Sequence, residues 1–300
     1  MRRLMRALGL LGVALWGWAW LPACAGAEEV RFRSCAGMIC LPVTLPDGNP
    51  HLLLLDTGNV NSWLKVETAR ALQFKLEPIE REGMTLPGVY RLGSRTVSLG
   101  GRVLSAKFAA LGPDHTGELP PEVEGALAYT VFSGLILQID YPRHRVRVRD
   151  PVATTSGESA SPMELVRFGQ GGPPVVVGNG FEVNGKTVRA QLDTCFTGTL
   201  LVYDSAIEGL ELARAAAHGH PRFFPYTDGG VNMNEASVES LAFGSYVLAG
   251  RPATIYFSGK GKLPVHQPDG LFESTVGNAL LAHSVVTLDF HAMKMNVQRG

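Results

Sequence analysis

The chain contains two copies of one sequence pattern, and each copy ends a predicted strand with an aspartate–threonine pair. In the first copy, the turn at 46–49 leads into the apolar run 52–55, which ends at Asp56-Thr57-Gly58. The second copy runs from the hairpin turn at 183–186 to Asp193-Thr194-Cys195. The turn glycine stands eight residues before the aspartate in both copies. A duplication of this kind predicts two similar structural halves.

The similarity continues downstream of each aspartate. Each copy has a predicted strand, a predicted helix and a closing apolar segment. The matching pairs are 62–64 and 200–202, 66–72 and 204–217, and 134–141 and 284–290. Between the copies, the residues from 150 onward are small, polar and bounded by proline, which is typical of a linker. We therefore predict an N-terminal lobe over 28–149, a linker over 150–163 and a C-terminal lobe over 164–300.

The composition is that of a mostly β globular protein. The 300 residues are 45% hydrophobic and 18% charged, which excludes a disordered or collagen-like chain. The 35 glycines and 19 prolines separate short apolar runs, as expected for many short strands. With 27 basic and 27 acidic side chains the net charge is zero, and no long basic block is present. Nucleic acid is therefore not an expected partner.

The first 27 residues have the organisation of an export signal, so we predict a signal peptide over 1–27. Three arginines precede the apolar stretch 7–21, and the small residues 25–27 fit a cleavage site. The apolar stretch is shorter than the roughly 20 residues of a membrane-spanning helix, so no stable membrane span is expected. The protein is predicted to be periplasmic or secreted. As an alternative, the segment 21–24 resembles a lipoprotein box that would place a lipid anchor on Cys24.

Two cysteines stand close together near the start of the mature chain. Cys35 and Cys40 are five residues apart, and in an exported protein this pair is expected to close a small disulfide loop. Reduced, buried thiols are the alternative. The remaining Cys195 has no partner near it in sequence.

The two aspartates indicate acid–base chemistry. A carboxylate directly after an apolar strand is costly to bury unless another group shares its charge. If the pseudo-twofold axis of the duplication brings Asp56 and Asp193 together, the two carboxyls cannot both ionise cheaply and hold one proton between them. The ionised member can then take a proton from water as it attacks a peptide carbonyl, and the protonated member can supply one.

These residues resemble the aspartic protease family, with its Asp-Thr-Gly signature after apolar residues. The closest likeness is to exported bacterial proteins that carry two retropepsin-like halves in one chain. The resemblance implies two closed β-barrel lobes related by a pseudo-twofold axis, with Asp56 and Asp193 as the catalytic pair. It implies that Thr57 and Thr194 hydrogen-bond across the axis and that Gly58 allows a tight loop. A peptide or protein substrate, a monomer, and no cofactor or metal are expected.

The sequence departs from the family pattern in two places. The family has an apolar-apolar-Gly element beneath each catalytic loop; residues 275–277 fit it, whereas Ala128 stands where the first copy should have glycine. Cys195 replaces the glycine of the second signature. Flap turns that close over substrate are predicted at 86–90, with Tyr90, and at 226–230, with Tyr226.

The intact aspartates and threonines favour an active peptidase. The alternative is a catalytically degenerate peptide-binding or scaffold protein, which Cys195 and Ala128 favour. No Gly-Xaa-Ser-Xaa-Gly elbow, His-Glu-Xaa-Xaa-His helix or Gly-Lys-Ser/Thr phosphate loop is present in the sequence. His218 and His220 are interpreted as surface residues rather than metal ligands, and Trp63 as a core residue.

Overall fold

The structure is a computed structural model that describes residues 28–81, 84–117, 119–151, 160–167, 173–224, 231–258 and 271–300. The predicted signal peptide over 1–27 and most of the predicted linker lie outside these residues. The lobe boundaries therefore stay predictions. None of the helices in the described ranges is long and apolar enough to cross a membrane.

The described residues are mostly β-strand. The strands of the first half are β1 (Glu28–Arg31), β2 (Arg33–Cys35), β3 (Met38–Thr44), β4 (Pro50–Asp56), β5 (Ser62–Lys65), β6 (Glu77–Arg81), β7 (Met84–Leu99), β8 (Arg102–Leu111), β9 (Gly125–Ala128), β10 (Ile136–Asp140) and β11 (Arg145–Arg149). Those of the second half are β12 (Ser161–Arg167), β13 (Pro174–Val183), β14 (Lys186–Leu192), β15 (Leu200–Val202), β16 (His220–Phe224), β17 (Val231–Val238), β18 (Leu241–Phe243), β19 (Tyr246–Ala249), β20 (Ala253–Phe257), β21 (Ser274–Val276), β22 (Ser284–Asp289) and β23 (Lys294–Arg299).

The helices are short. They are α1 (Val66–Ala71), α2 (Pro113–Thr116), α3 (Ala213–Ala217) and α4 (Asn278–Leu281), with 3₁₀ turns at Tyr129–Phe132 and Asp204–Ala206. The single helix predicted over 204–217 is wrong: the backbone is interrupted by a turn in which Glu211 has a φ of 57°. The apolar residues of the segment 204–217 are nevertheless packed, since Leu210 and Leu212 are buried.

The two halves share the topology that surrounds each aspartate. In the first half, β4 pairs in parallel with β9, β9 pairs antiparallel with β5, and β5 pairs in parallel with β8. In the second half, β14, β21, β15 and β20 repeat these pairings in the same order and directions. β4 and β14 each lie between an antiparallel and a parallel neighbour inside a sheet, and the residues that lead into each aspartate, Leu53–Leu55 and Ala190–Leu192, are buried. The predicted structural repeat is present.

The halves are joined by a sheet of strands from both. β10 pairs antiparallel with β22, with Gln138 opposite Thr287 at the middle of the pairing. The strand order through this region is β1-β11-β10-β22-β23-β12, and it continues through β13 and β14 into the second half. One apolar core accordingly contains residues of both halves, such as Leu55 and Leu192.

The expectation of closed barrels is wrong for the part of the chain that the structure describes. The sheet of the first half runs from an edge at β2 to an edge at β6, and only the pairing of Thr44 with Ser98 links β3 to β7 across it. Because a single residue pair is too little to form a ladder of hydrogen bonds between β3 and β7, the sheet stays open there. The second half is part of the sheet that continues between the halves.

A disulfide hairpin precedes the first aspartate. Cys35 and Cys40 form a disulfide that spans the turn between β2 and β3. Both cysteines are buried in a small cluster with Leu54 and Trp63, so Trp63 is a core residue as predicted. Of the two interpretations of the cysteine pair, the disulfide is the one present.

Candidate active site

The two Asp-Thr loops meet at the centre of the molecule and are held together by their threonines. The Thr57 backbone N–H donates to Thr194 Oγ1 at 3.0 Å, and the Thr194 N–H donates to Thr57 Oγ1 at 3.1 Å. Each hydroxyl also donates across the axis, from Thr57 to the Leu192 carbonyl at 2.8 Å and from Thr194 to the Leu55 carbonyl at 2.5 Å. The loops are therefore fixed relative to each other by reciprocal hydrogen bonds between residues of the two copies.

The carboxyl groups of the two aspartates face each other. A donor atom from each of Asp56, Asp193 and Cys195 lies within 4.8 Å of the other two. Each carboxyl is oriented by its own loop: Asp56 accepts from the Gly58 N–H at 3.1 Å, and Asp193 accepts from the Cys195 N–H at 2.8 Å. The predicted pair is thus brought together by the duplication.

Glycine at position 58 is required by the Asp193 carboxyl. A Cβ added to Gly58 would lie 2.5 Å from Asp193 Cγ, closer than any real contact. The Gly58 carbonyl also accepts from the side-chain amide of Gln191 at 2.9 Å. The flat surface of the glycine lets the second carboxyl approach the first loop.

Burial raises the pKa of both carboxyls, and the charge of Asp193 raises that of Asp56 further. The pKa of Asp56 is raised chiefly by burial and then by the charge of Asp193, and the backbone and side chain of Asn59 and the Gly58 N–H oppose the rise. Burial also raises the pKa of Asp193, against the N–H groups of Cys195 and Phe196. Within the described residues, no cationic side chain contributes to either shift. A shared proton is the simplest charge balance for such a pair.

Cys195 lies beside the pair as a neutral thiol. Its Sγ is 3.8 Å from the Leu55 carbonyl oxygen, the same atom that accepts from Thr194. Burial and the charges of Asp56 and Asp193 raise the pKa of the Cys195 thiol well above its ordinary value. Because a nucleophilic cysteine must be a thiolate, these surroundings disfavour a thiol mechanism.

The element beneath each loop differs in its last residue, as the sequence predicts. Ala128 pairs with Asp56, and its methyl group is fully buried. Gly277 follows β21 in the same place of the second half, and a Cβ there would lie 2.4 Å from the Gly198 carbonyl oxygen. The first loop thus has room for alanine, whereas the second does not.

The predicted first flap turn is misplaced. Residues 86–90 lie within β7, and β6 pairs with β7 from Glu77 opposite Arg91 to Arg81 opposite Met84, so these residues are part of a strand rather than a turn. Tyr90 is half-buried, pairs with Pro78 and Ala110, and packs against the core. Tyr226 and its predicted flap turn lie outside the described residues, and the flap roles stay predictions.

Three oxygen and sulfur donors could share a cation at this centre. Asp56, Asp193 and Cys195 form the one group of three or more such donors among the residues that the structure describes. His218 is exposed, and its Nδ1 lies 2.8 Å from the Arg214 carbonyl, as expected for a surface residue. His220 is exposed at the start of β16.

Three supporting side chains were missed by the sequence analysis. Gln191 is two residues before Asp193 and is 8% exposed, but its place in β14 alternates with Arg189, so no local pattern marks it as a buried residue. The Ser62 hydroxyl oxygen accepts from the Ala128 N–H at 3.0 Å and so holds the strand β9 beneath the first loop. Asn278 donates to the Thr194 carbonyl at 2.6 Å, a contact over 84 residues that no local pattern indicates.

Comparison with solved structures supports the fold. An aspartic proteinase from Irpex lacteus matches with a TM-score of 0.51 and 13% identity, over 91% of this chain and 97% of that chain. The basic 7S globulin of soybean and conglutin gamma, a basic 7S globulin from lupine seeds, match with TM-scores of 0.49 and 10% identity, over 91% of this chain and 94% and 95% of theirs. No protein-family model and no curated protein sequence matches. The chain has the mostly β fold of the pepsin-like aspartic proteases.

Proposed function

We propose that this protein is an exported aspartic endopeptidase that hydrolyses peptide bonds with Asp56 and Asp193. The observation that carries the proposal is the pair of facing carboxyls, held by reciprocal threonine hydrogen bonds and with no cationic partner among the described residues. The fold shared with an aspartic proteinase agrees with it. The retropepsin-like likeness stated above remains part of the proposal.

The chemistry follows from one proton shared by two acids. The ionised carboxyl accepts a proton from a water molecule as the water oxygen attacks the peptide carbonyl carbon. The protonated carboxyl hydrogen-bonds the carbonyl oxygen, and a proton is then delivered to the departing amine. Asp56 is 8% exposed and Asp193 is partly exposed, so the pair is not sealed from solvent.

The proposed location and assembly rest on separate observations. The Cys35–Cys40 disulfide is the form expected in an oxidising compartment, in agreement with export. Both aspartates belong to one chain, so the catalytic pair needs no second copy, and a monomer with a peptide or protein substrate is proposed.

A second candidate function is a peptide-binding protein without catalysis. The observation that favours it is the Cys195 side chain at the signature glycine, beside Asp56. A binder would retain peptide affinity when either aspartate is replaced by asparagine, whereas a peptidase would lose turnover.

The decisive experiment replaces each aspartate in turn. Asp56→Asn and Asp193→Asn should each lower hydrolysis of an unfolded protein at acidic pH by at least about 1,000-fold, because each removes a reacting acid or base. Asp47→Asn is the matched control, since Asp47 lies in the exposed turn and contacts Asn49 and His51. Cleavage that persists in both site variants would exclude the proposal, as would a wild-type protein that binds peptide but cleaves none from acid to neutral pH.

A shared proton also has a signature in stability. Because the pKa of Asp56 is raised above its ordinary value of 3.8, the native state binds more protons than the unfolded state. The free energy of unfolding should fall as the pH rises from the ordinary value through the raised one, by up to about 1.4 kcal/mol per pH unit. In Asp56→Asn, the free energy of unfolding measured with urea should depend less on pH than in the wild type. Parallel profiles for the two proteins would be inconsistent with a proton held at the pair.

A further inference from the structure

Asn278 is a buried residue whose side-chain nitrogen and oxygen both form hydrogen bonds. It is 6% exposed and is the first residue of α4, directly after Gly277. Its Nδ2 donates to the Thr194 carbonyl at 2.6 Å and to the Gly37 carbonyl at 3.1 Å. Its Oδ1 accepts from the Tyr141 hydroxyl at 2.8 Å. One side chain therefore links three separate parts of the chain.

The Thr194 carbonyl lies inside the second catalytic loop. It belongs to the peptide bond that joins Thr194 to Cys195, and the N–H of that same peptide bond donates to the Asp193 carboxyl. Any rotation of this peptide group changes the direction of the Cys195 N–H, which orients the Asp193 carboxyl. Asn278 thus acts on Asp193 through one peptide group.

The first loop is not held in this way. Tyr129 follows Ala128 as Asn278 follows Gly277, but its hydroxyl donates to the Pro174 carbonyl at 3.1 Å, away from the loop. Both residues use their backbone N–H alike, to the carbonyls of Asn59 and Phe196. Of these two residues, therefore, only Asn278 links its side chain to the neighbouring Asp-Thr loop.

The other end of the link is the disulfide hairpin. Ala36 and Gly37 form its turn with φ angles of 50° and 87°, and the Cys35–Cys40 disulfide closes it. A Cβ on Gly37 would lie 3.2 Å from Thr197 Cγ2, so this turn also touches the loop that follows Asp193. A hairpin of the first half therefore contacts the catalytic loop of the second.

Packing alone does not fix this junction. A cavity of about 230 Å³ adjoins it, lined by Met38, Tyr141, Thr197 and Asn278 among other residues. With open space on one side, the place of the Asn278 amide depends on its hydrogen bonds and on the turn that accepts one of them.

We propose that Asn278 is a positioning residue for the second catalytic loop and that the disulfide-closed hairpin holds it in place, so that opening the disulfide slows hydrolysis. The inference rests on the proposed peptidase function for its kinetic consequence. Opening requires a dithiol reductant: two electrons and two protons pass to Cys35 and Cys40, which become thiols, and the reductant becomes a disulfide.

The first test removes the link from the Asn278 side. In the full-length protein, Asn278→Ala should lower kcat by about 10- to 100-fold with little change in KM, because the loop is misplaced while the substrate cleft is not. Tyr141→Phe removes only the hydroxyl that orients the amide and should lower kcat less. Gln138→Ala is the matched control, since it removes an amide hydrogen bond between the halves, to Thr287, away from the loops.

A readout independent of catalysis is the thiol in the loop itself. Alkylation of Cys195 by iodoacetamide, followed by mass spectrometry of its peptide, should be faster by about tenfold in Asn278→Ala and unchanged in Gln138→Ala. Unchanged alkylation and unchanged kcat in both Asn278→Ala and Tyr141→Phe would overturn the inference. If Asn278→Ala fails to fold, Tyr141→Phe decides.

The second test opens the hairpin. Dithiothreitol on the wild type, and the double variant Cys35→Ser with Cys40→Ser, should each reproduce the effects of Asn278→Ala, and combining the double variant with Asn278→Ala should add little. Full additivity would overturn the inference. A protein that hydrolyses nothing but shows these alkylation changes would exclude the peptidase and still support the link.

Discussion

The two Asp-Thr loops have the same contacts with each other but different contacts with the halves to which they belong. Both present Asp-Thr and exchange the same threonine hydrogen bonds. Three residues after each aspartate, however, Asn59 is exposed, whereas Phe196 is buried beside the rings of Phe224 and Tyr256 at 5.7 and 6.1 Å. A duplicated site thus preserves the groups that meet at the axis, while the groups behind it diverge with the packing of each half.

The strongest test of this comparison removes the shared hydroxyls. Thr57→Val and Thr194→Val should each lower the free energy of unfolding by about 2–4 kcal/mol, because each leaves buried backbone groups of the opposite loop without a partner. The two losses should be similar, as measured by urea unfolding. Thr130→Val, which removes a single bond to the Val60 carbonyl, is the control and should cost about 1 kcal/mol. A cost for one threonine less than half that of the other would break the equivalence of the loops.

The elements beneath the loops should respond unequally. Gly277→Ala should cost about 1–3 kcal/mol, because the new methyl group would meet the Phe196 and Gly198 carbonyl oxygens at 2.5 and 2.4 Å. Ala128→Gly should cost about 1 kcal/mol or less, from the greater freedom of the unfolded chain and the lost methyl contacts. Thermal unfolding of the two variants checks the order. Equal costs would mean that the first half is as tightly packed here as the second.

The smallest effect is expected at the signature itself. Cys195→Gly makes the second loop match the first and should lower stability by under about 1 kcal/mol, since a partly exposed side chain and its contacts with the disulfide cluster are lost. Hydrolysis should be at least as fast as in the wild type, because space opens beside Asp56. Cys195→Ser keeps the side-chain size and serves as the control. A glycine variant that loses hydrolysis while the serine variant keeps it would assign the side chain a role in the reaction.

Sequence alone was sufficient for what the duplication repeats. Asp56, Asp193 and the two threonines are recognisable because their spacing from a turn glycine is the same in both copies, and the strand pairings around them follow. Ala128 and Cys195 could be singled out as departures for the same reason.

Features that depend on distant residues could not be predicted. Pro87-Gly88 has the composition of a turn, but Gly88, with a φ of 68°, forms an irregular point within β7 where its carbonyl accepts from the Gly112 N–H at 2.7 Å. The link from Asn278 to Gly37 joins residues 241 positions apart. Neither position carries a local pattern that distinguishes it from an ordinary turn or helix start.

The sheet between the halves has a consequence for biosynthesis. β10 ends at Asp140, whereas its neighbour β22 begins only at Ser284. During synthesis, this apolar edge of β10 therefore stays unpaired until most of the second half has been made. Contacts between residues so far apart in sequence form slowly, and an unpaired strand edge is a site where other chains can associate. Only a chain synthesised through β22 can cover this edge with its native partner.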